Sequence, residues 1–191
     1  MNPVFGSIAG DSNRHPVLVG LLRTLRANGL ERADILEVGS YEGQSALVWS
    51  EALAGTMPRG GSVMCIDPWV PYHSLEQEHV AKIYGDMNAD LASGAAHARF
   101  KRNVMFARQG APVSWQQTAL EQFVVATETR GFRFDLVYLD GDHRLPAVRR
   151  DIALARGLVR QGGILCGDDL EVVAQTQEEA DGIALRANED Y

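Results

Sequence analysis

The stretch ILEVGSYEGQSA, residues 35–46, decides the fold. Residues 34–38 (DILEV) are typical of a short buried strand, Gly39 ends that strand, and a helical pattern runs over about residues 43–54. Glycines between a strand and a helix let the backbone approach a ligand at the carboxyl end of a parallel sheet. The stretch therefore predicts a strand, a ligand-binding turn and a helix.

The turn favours a nucleoside ligand without phosphates. Tyr41 stands where the dinucleotide motif G-x-G-x-x-G has its second glycine, the residue that lets a pyrophosphate touch the main chain. Asp67 ends the next predicted strand, residues 62–66 (SVMCI), so the same topology places it to accept hydrogen bonds from ribose hydroxyls. Taken singly, the glycines are also explained as ordinary loop residues, and Asp67 as the start of a turn. Because the glycines and Asp67 follow successive strands at matching positions, a nucleoside-binding pocket is the favoured explanation.

The rest of the chain alternates helix and strand patterns. Amphipathic or helical spacing covers residues 16–28, 69–110 with breaks at Gly85 and Gly94, 119–129 and 146–160. Strand patterns cover residues 112–115, 134–139 and 164–166. This alternation predicts an α/β fold with a doubly wound, mainly parallel sheet. We expect one domain over residues 1–191: an N-terminal helix and lid (1–30), a cofactor and metal core (34–169) and a C-terminal segment (170–191).

Composition excludes several classes of protein. The 46% apolar and 23% charged residues are typical of a soluble globular domain, and the formal net charge of −7 would repel a phosphate backbone, so no nucleic-acid partner is expected. Because no run approaches 18 apolar residues and the start lacks a signal-peptide pattern, we expect no membrane segment and a cytoplasmic location. Cys65 and Cys166 lie in different predicted strands and are interpreted as reduced core thiols.

Acidic residues follow two further predicted strands. Asp140 follows residues 134–139, and Asp168 and Asp169 follow the strand that contains Cys166. Consecutive strands of this topology are usually neighbours, so three carboxylates would converge and favour a hard divalent cation such as Mg²⁺. Helix capping is the alternative explanation for Asp168 and Asp169, and it is the preferred one for Asp142.

His143 lies three residues beyond Asp140, on the loop that faces the same cleft. A free imidazole titrates near pH 6.5, so this side chain is suited to take a proton at neutral pH. A role as an ordinary surface histidine stays open.

Four segments in this order, ILEVGSYEGQSA, CIDPW, FDLVYLDGDH and GGILCGDD, resemble the metal-dependent O-methyltransferases, of both the catechol type and the macrocin or mycinamicin sugar type. The resemblance spans residues 35–169 and implies the Rossmann-like fold of class I S-adenosylmethionine-dependent methyltransferases. That fold normally has further C-terminal strands, so this chain is expected to be a shortened form or to be completed by another subunit.

The resemblance also implies roles for individual residues. It places the metal on Asp140, Asp168 and Asp169, and the catalytic base, which is a histidine in the macrolide-sugar enzymes, on His143. The implied cofactor-binding residues are Glu37, Gly39, Ser40, Tyr41, Gly43, Ser45, Asp67 for the ribose, Thr118 near the adenine, and Asp140.

The resemblance implies a Mg²⁺-dependent O-methyltransferase that transfers a methyl group to a hydroxyl of a small molecule, such as a natural-product sugar or a phenol. A small hydroxylated substrate is the expected partner, and assembly into a homo-oligomer stays open. Two alternatives remain: a relative with another reaction at the acidic cluster, and a non-catalytic cofactor-binding subunit.

Overall fold

The computed structural model describes residues 3–5, 15–72, 75–76, 78–106, 110–128 and 131–168. Within them, five strands form one sheet: β1 Ala33–Val38, β2 Gly61–Asp67, β3 Val113–Gln117, β4 Phe134–Leu139 and β5 Val159–Gly167. Six α-helices connect them: α1 His15–Ala27, α2 Gln44–Thr56, α3 Glu78–Ala92, α4 Ala95–Val104, α5 Leu120–Glu128 and α6 Leu145–Ala155. The described helices include none that is long and apolar enough to span a membrane.

The sheet confirms the predicted fold class. Its strand order is β3-β2-β1-β4-β5, and every neighbouring pair is parallel. The order reverses between β1 and β4, which creates a switch point at which open α/β sheets bind ligands beyond the carboxyl ends of their strands.

Both faces of the sheet are covered because successive strand residues point to opposite sides. Ile35 belongs to the core formed with α1, α2 and α4, whereas Leu36 belongs to the core formed with α5 and the end of α6. Leu22 of α1 and Trp49 of α2 are fully buried in the first core, and Phe123 of α5 is buried in the second. Both faces of the central strands are therefore packed against helices.

Several boundaries differ from the sequence prediction, and two of them are informative. Gly85 lies inside α3 and does not end it, whereas Gly94 does precede α4. The last described α-helix ends at Ala155, a 3₁₀ turn follows over Arg156–Leu158, and β5 begins at Val159, five residues earlier than predicted. Val159 pairs with β4 across a register shift, so tertiary hydrogen bonding extends the strand through residues whose local pattern is helical.

The N-terminal segment 3–5 lies against α4. The Asn103 side chain accepts a hydrogen bond from the Val4 amide (2.9 Å) and donates one to the Val4 carbonyl (2.8 Å). Residues 6–14, which the predicted lid includes, lie outside the described residues, as do residues 169–191 of the predicted C-terminal segment.

An ion network joins three strands at the end of the sheet opposite the switch point. Arg160 of β5 donates to Asp135 of β4 (2.5 Å) and lies 3.3 Å from the Asp34 carboxylate of β1, whose amide donates to Asp135 (2.8 Å). Burial raises the pKa of Asp34, but a hydrogen bond from Ser62, the charge of Arg32, and hydrogen bonds from Arg32 and Arg160 outweigh burial and lower it.

Replacing Arg160 by methionine is expected to lower the free energy of unfolding at pH 7 by about 1–2 kcal/mol, because the buried Asp135 loses its cation while Arg160 itself is partly exposed. The lowered pKa of Asp34, to which the Arg160 hydrogen bond contributes, stabilises the fold above the ordinary value of 3.8, and this contribution is lost as the pH falls through the folded pKa. Urea unfolding at several pH values should therefore show the difference shrinking in acid. Arg156→Met, at a nearby exposed arginine, is the control and should be near neutral.

Candidate cofactor-binding site

A cavity of about 260 Å³ opens at the carboxyl ends of β1, β2 and β4. Four residues that the sequence singled out line it: Gly39, Tyr41, Asp67 and Asp140. They come from three strands but share one edge of the sheet, as the parallel topology requires.

Gly39 is required by the approach of β1 to the loop after β4. Its φ is +86°, and a Cβ atom there would lie 2.1 Å from the Asp140 carbonyl oxygen. A side chain cannot fit at that distance, so the glycine both turns the chain and lets two backbones meet beside the cavity.

Tyr41 holds an unusual backbone conformation in the turn. Its φ is +42°, which costs free energy for a residue other than glycine and persists only where the surroundings enforce it. Its amide donates to Asp67 Oδ2 (2.9 Å), and its carbonyl accepts from Trp69 Nε1 (2.7 Å). Residues from the end of β2 therefore hold the turn that follows β1.

Asp67 is a buried carboxylate on the cavity wall. Besides the Tyr41 amide, it accepts a hydrogen bond from the Trp69 amide at Oδ1 (2.6 Å). Burial raises the pKa of Asp67, although these backbone hydrogen bonds oppose the shift. Each oxygen keeps acceptor capacity for a hydroxyl, which is the chemistry expected of a ribose-binding residue.

Glu37, Ser40 and Ser45 lie behind the turn and do not line the cavity. Glu37 is fully buried, its carboxylate accepts hydrogen bonds from the Ser45 hydroxyl and the Ser40 hydroxyl (3.2 Å), and the Cys65 thiol lies 3.3 Å away. These contacts tie the end of β1 to the first turn of α2, so they shape the loop.

Thr118 lies beside the cavity. Its amide donates to the Asp67 carbonyl (3.0 Å), and its hydroxyl lies 3.3 Å from Gln122 Oε1. The next residues, Ala119 and Leu120, line the cavity.

The ends of β4 and β5 bring two of the predicted metal ligands to neighbouring positions. The Asp168 amide donates to the Leu139 carbonyl (3.1 Å), directly before Asp140. His143 Nε2 lies 3.7 Å from Asp140 Oδ1. Asp169 lies outside the described residues, and the described residues contain no group of three or more acidic, histidine or cysteine side chains placed to hold a metal. The metal site stays a prediction.

Asp142 does not cap α6, so that interpretation is wrong. Arg144 takes the position before the helix in an extended conformation, and the Asp142 carboxylate accepts hydrogen bonds from its amide (3.1 Å) and its guanidinium Nε (2.9 Å). The reason is that α6 begins at Leu145, two residues too late for Asp142 to act as the cap. Asp142 instead lines the cavity.

Sequence reasoning missed a further wall of the cavity. It is formed by Tyr72, Met87 and Leu91, together with Arg150 and Asp151 of α6. The first three lie in residues 69–110, for which the sequence showed only helical spacing. Met87 and Leu91 are four residues apart on α3, and this helical spacing of apolar residues was the available signal. The same spacing is typical of helix residues that pack in a core, so the sequence did not show that these two residues line a cavity.

A doubly wound parallel sheet with a glycine turn after β1 and a buried acid at the end of β2 agrees with the predicted Rossmann-like fold of class I methyltransferases. Residues 36–170 match the family model described as a methyltransferase domain. The chain therefore belongs to this methyltransferase family, and the predicted S-adenosylmethionine-dependent class is confirmed. No curated protein matches the chain.

Solved structures with a similar fold include an S-adenosylmethionine-dependent methyltransferase from Agrobacterium tumefaciens (16% identity, 89% of this chain and 50% of that chain, TM-score 0.56). Another is a hypothetical protein from Thermus thermophilus (18% identity, 86% and 76%, TM-score 0.53). This chain thus spans half the length of the Agrobacterium protein. At these identities the likeness shows the fold.

Proposed function

We propose that this domain binds S-adenosylmethionine in the cavity and transfers its methyl group to a hydroxyl of a small molecule. The observation that carries the proposal is Asp67, a buried carboxylate that faces the cavity beside the Gly39 turn. Asp67 would accept the ribose hydroxyls, and Gly39 lets the nucleoside approach the backbone. Thr118 and Ala119 border the side at which the adenine would lie.

We assign Glu37, Ser40, Gly43 and Ser45 to positioning the turn. Hydrogen bonds behind the cavity tie Glu37 to Ser40 and to Ser45. Their contribution to cofactor affinity would therefore act through the shape of the loop.

We further propose that Asp140, Asp168 and Asp169 hold Mg²⁺. The carboxylate chemistry and the adjacent ends of β4 and β5 support this assignment. Bound there, a divalent cation would make an acceptor hydroxyl more acidic. His143, beside Asp140, would take up the proton of that hydroxyl.

The charge of the cavity supports an uncharged or cationic acceptor. The described lining contains five carboxylates: Asp67, Glu121, Asp140, Asp142 and Asp151. Two arginines offset them in part, Arg150 in the lining and Arg144 paired with Asp142, so negative charge still predominates. A pocket dominated by one sign of charge repels ligands of that sign, so a phosphorylated or carboxylated acceptor is disfavoured.

Calorimetry tests the proposal. S-adenosylmethionine should bind the folded protein in the micromolar range, about −8 kcal/mol, and Mg²⁺ should bind until it is removed by chelation. A screen of hydroxylated acceptors should then give a product heavier by one methyl group. No heat of binding at several temperatures would contradict the proposal, and a different product mass would contradict the reaction.

His143→Gln is expected to lower kcat with such an acceptor by about 10²–10⁴-fold, because the proton acceptor is lost. The affinity for S-adenosylhomocysteine should stay within twofold, as His143 is not among the cavity-lining residues. Turnover and calorimetry of the same preparation separate the two effects. An unchanged kcat would remove His143 from the reaction.

A further inference from the structure

Helix α4 contacts the cofactor turn with three side chains. Arg99 Nε lies 2.5 Å from Glu42 Oε1, and Asn103 Nδ2 donates to the Glu42 carbonyl (3.0 Å). The Phe100 ring packs so closely on Gly43 that a Cβ there would lie 2.9 Å from it. Arg99 and Asn103 are one helical turn apart and share a face, so this face is shaped to fit residues 42 and 43.

The ion pair between Arg99 and Glu42 is largely shielded from water. The Glu42 side chain is 1% exposed and that of Arg99 is 22% exposed. A buried carboxylate that loses a cationic partner is strongly destabilised where it stands. Glu42 follows Tyr41 directly, so the need of the Glu42 carboxylate for a cation fixes the position of Arg99 next to the residue with the unfavourable φ.

Arg99 also lies beside the Tyr41 phenol. Burial, reinforced by the charges of Glu42 and Asp90, raises the pKa of Tyr41 to about 12, and the nearby Arg99 guanidinium opposes this shift. Tyr41 lines the cavity with φ at +42°. One guanidinium thus faces two successive residues of the turn.

The same guanidinium also contacts α3, the helix that contributes Met87 and Leu91 to the cavity lining. Its Nη2 donates to the Asp90 carboxylate of α3. Asp90 lies between Met87 and Leu91, two α3 residues that line the cavity. Arg99 therefore bridges the turn after β1 and the α3 wall, although it does not itself line the cavity.

We propose that Arg99 is a positioning residue that holds the cofactor turn in its binding conformation and links cofactor binding to the α3 wall. The inference rests on the function proposed above, since it assigns the turn to the cofactor. By linkage, a ligand that selects this conformation of the turn also steadies α3, and a loss of the bridge uncouples the two.

The test compares Arg99→Gln, Arg99→Lys and Asp90→Ala with the control Arg102→Gln, an exposed arginine on the same helix. S-adenosylhomocysteine is the probe, its affinity is measured by calorimetry, and hydrogen exchange of residues 78–92 is followed with and without saturating probe. Arg99→Gln should weaken binding by about tenfold or more and abolish the slowing of exchange in α3. Arg99→Lys keeps the charge and should recover part of the affinity.

Asp90→Ala, which removes the acceptor of the Arg99 hydrogen bond, separates positioning from simple loss of stability. It leaves the Arg99–Glu42 pair in place, so affinity should stay within about threefold of wild type while probe binding no longer slows exchange in α3. Because the Asp90 side chain is partly exposed, its variant should fold, and it tests the link to α3 even if Arg99→Gln does not fold. Wild-type affinity and α3 protection in both variants would overturn the inference. A wild-type protein that does not bind the probe would instead contradict the proposed function.

Discussion

Replacement of Gly39 by alanine is expected to lower the free energy of unfolding by about 3 kcal/mol or more. The φ of +86° is unfavourable for alanine, and the new Cβ would lie 2.1 Å from the Asp140 carbonyl oxygen. The obstructing atoms belong to the backbone and not to a flexible side chain. The steric clash can therefore be relieved only if β1 and the loop after β4 move apart. Cofactor binding should be lost with this movement, because both segments line the cavity.

Urea unfolding measures the effect of Gly39→Ala, and Gly20→Ala is the matched control. Gly20 lies in α1 with no atom within 4 Å of its added Cβ, and its φ is not positive. Alanine there should stabilise the protein by about 0.5–1 kcal/mol, as expected inside a helix. Equal changes in the two variants would contradict the close approach of the two backbones.

Asp67→Asn is expected to weaken S-adenosylmethionine binding by about 100-fold, since two hydrogen bonds from ribose hydroxyls lose a charged acceptor. Glu121→Gln is the control, because Glu121 also lines the cavity but is exposed at the first turn of α5. It should bind nearly as wild type does. Calorimetry at pH 7 distinguishes the variants, and equal affinities in all three proteins would place the ribose elsewhere.

The raised pKa of Asp67 adds a pH dependence to this binding. The ionised carboxylate is the better acceptor for hydroxyls, so affinity should fall as the pH falls through the raised pKa. This loss should occur at a higher pH than it would for a carboxylate with the ordinary pKa of 3.8. For the unligated fold the sign is opposite: the contribution of this group is fully present below the unfolded pKa and is lost as the pH rises through the folded one. Asp67→Asn should abolish this part of the pH dependence.

Much of the fold was predictable because its signals are local. The strand over residues 134–139 has the predicted bounds, since a run of buried apolar residues between polar ends needs no distant partner to be recognised. The glycine turn and Asp67 were predictable for a related reason: parallel topology sends the carboxyl ends of strands to one edge. The start of β5 was not, because its pairing with β4 competes with a local helical pattern.

The sequence by itself determined the family, the order of the elements and the residues that reach the switch point, because strand periodicity and turn chemistry are set by neighbours along the chain. Only the tertiary structure decided which of them face the cavity. It placed Glu37 behind the turn, Asp142 on the cavity wall, and Arg99 between the turn and α3. Arg99 and Glu42 are 57 residues apart in the chain, and a pairing across that separation exists only once helix packing brings them together.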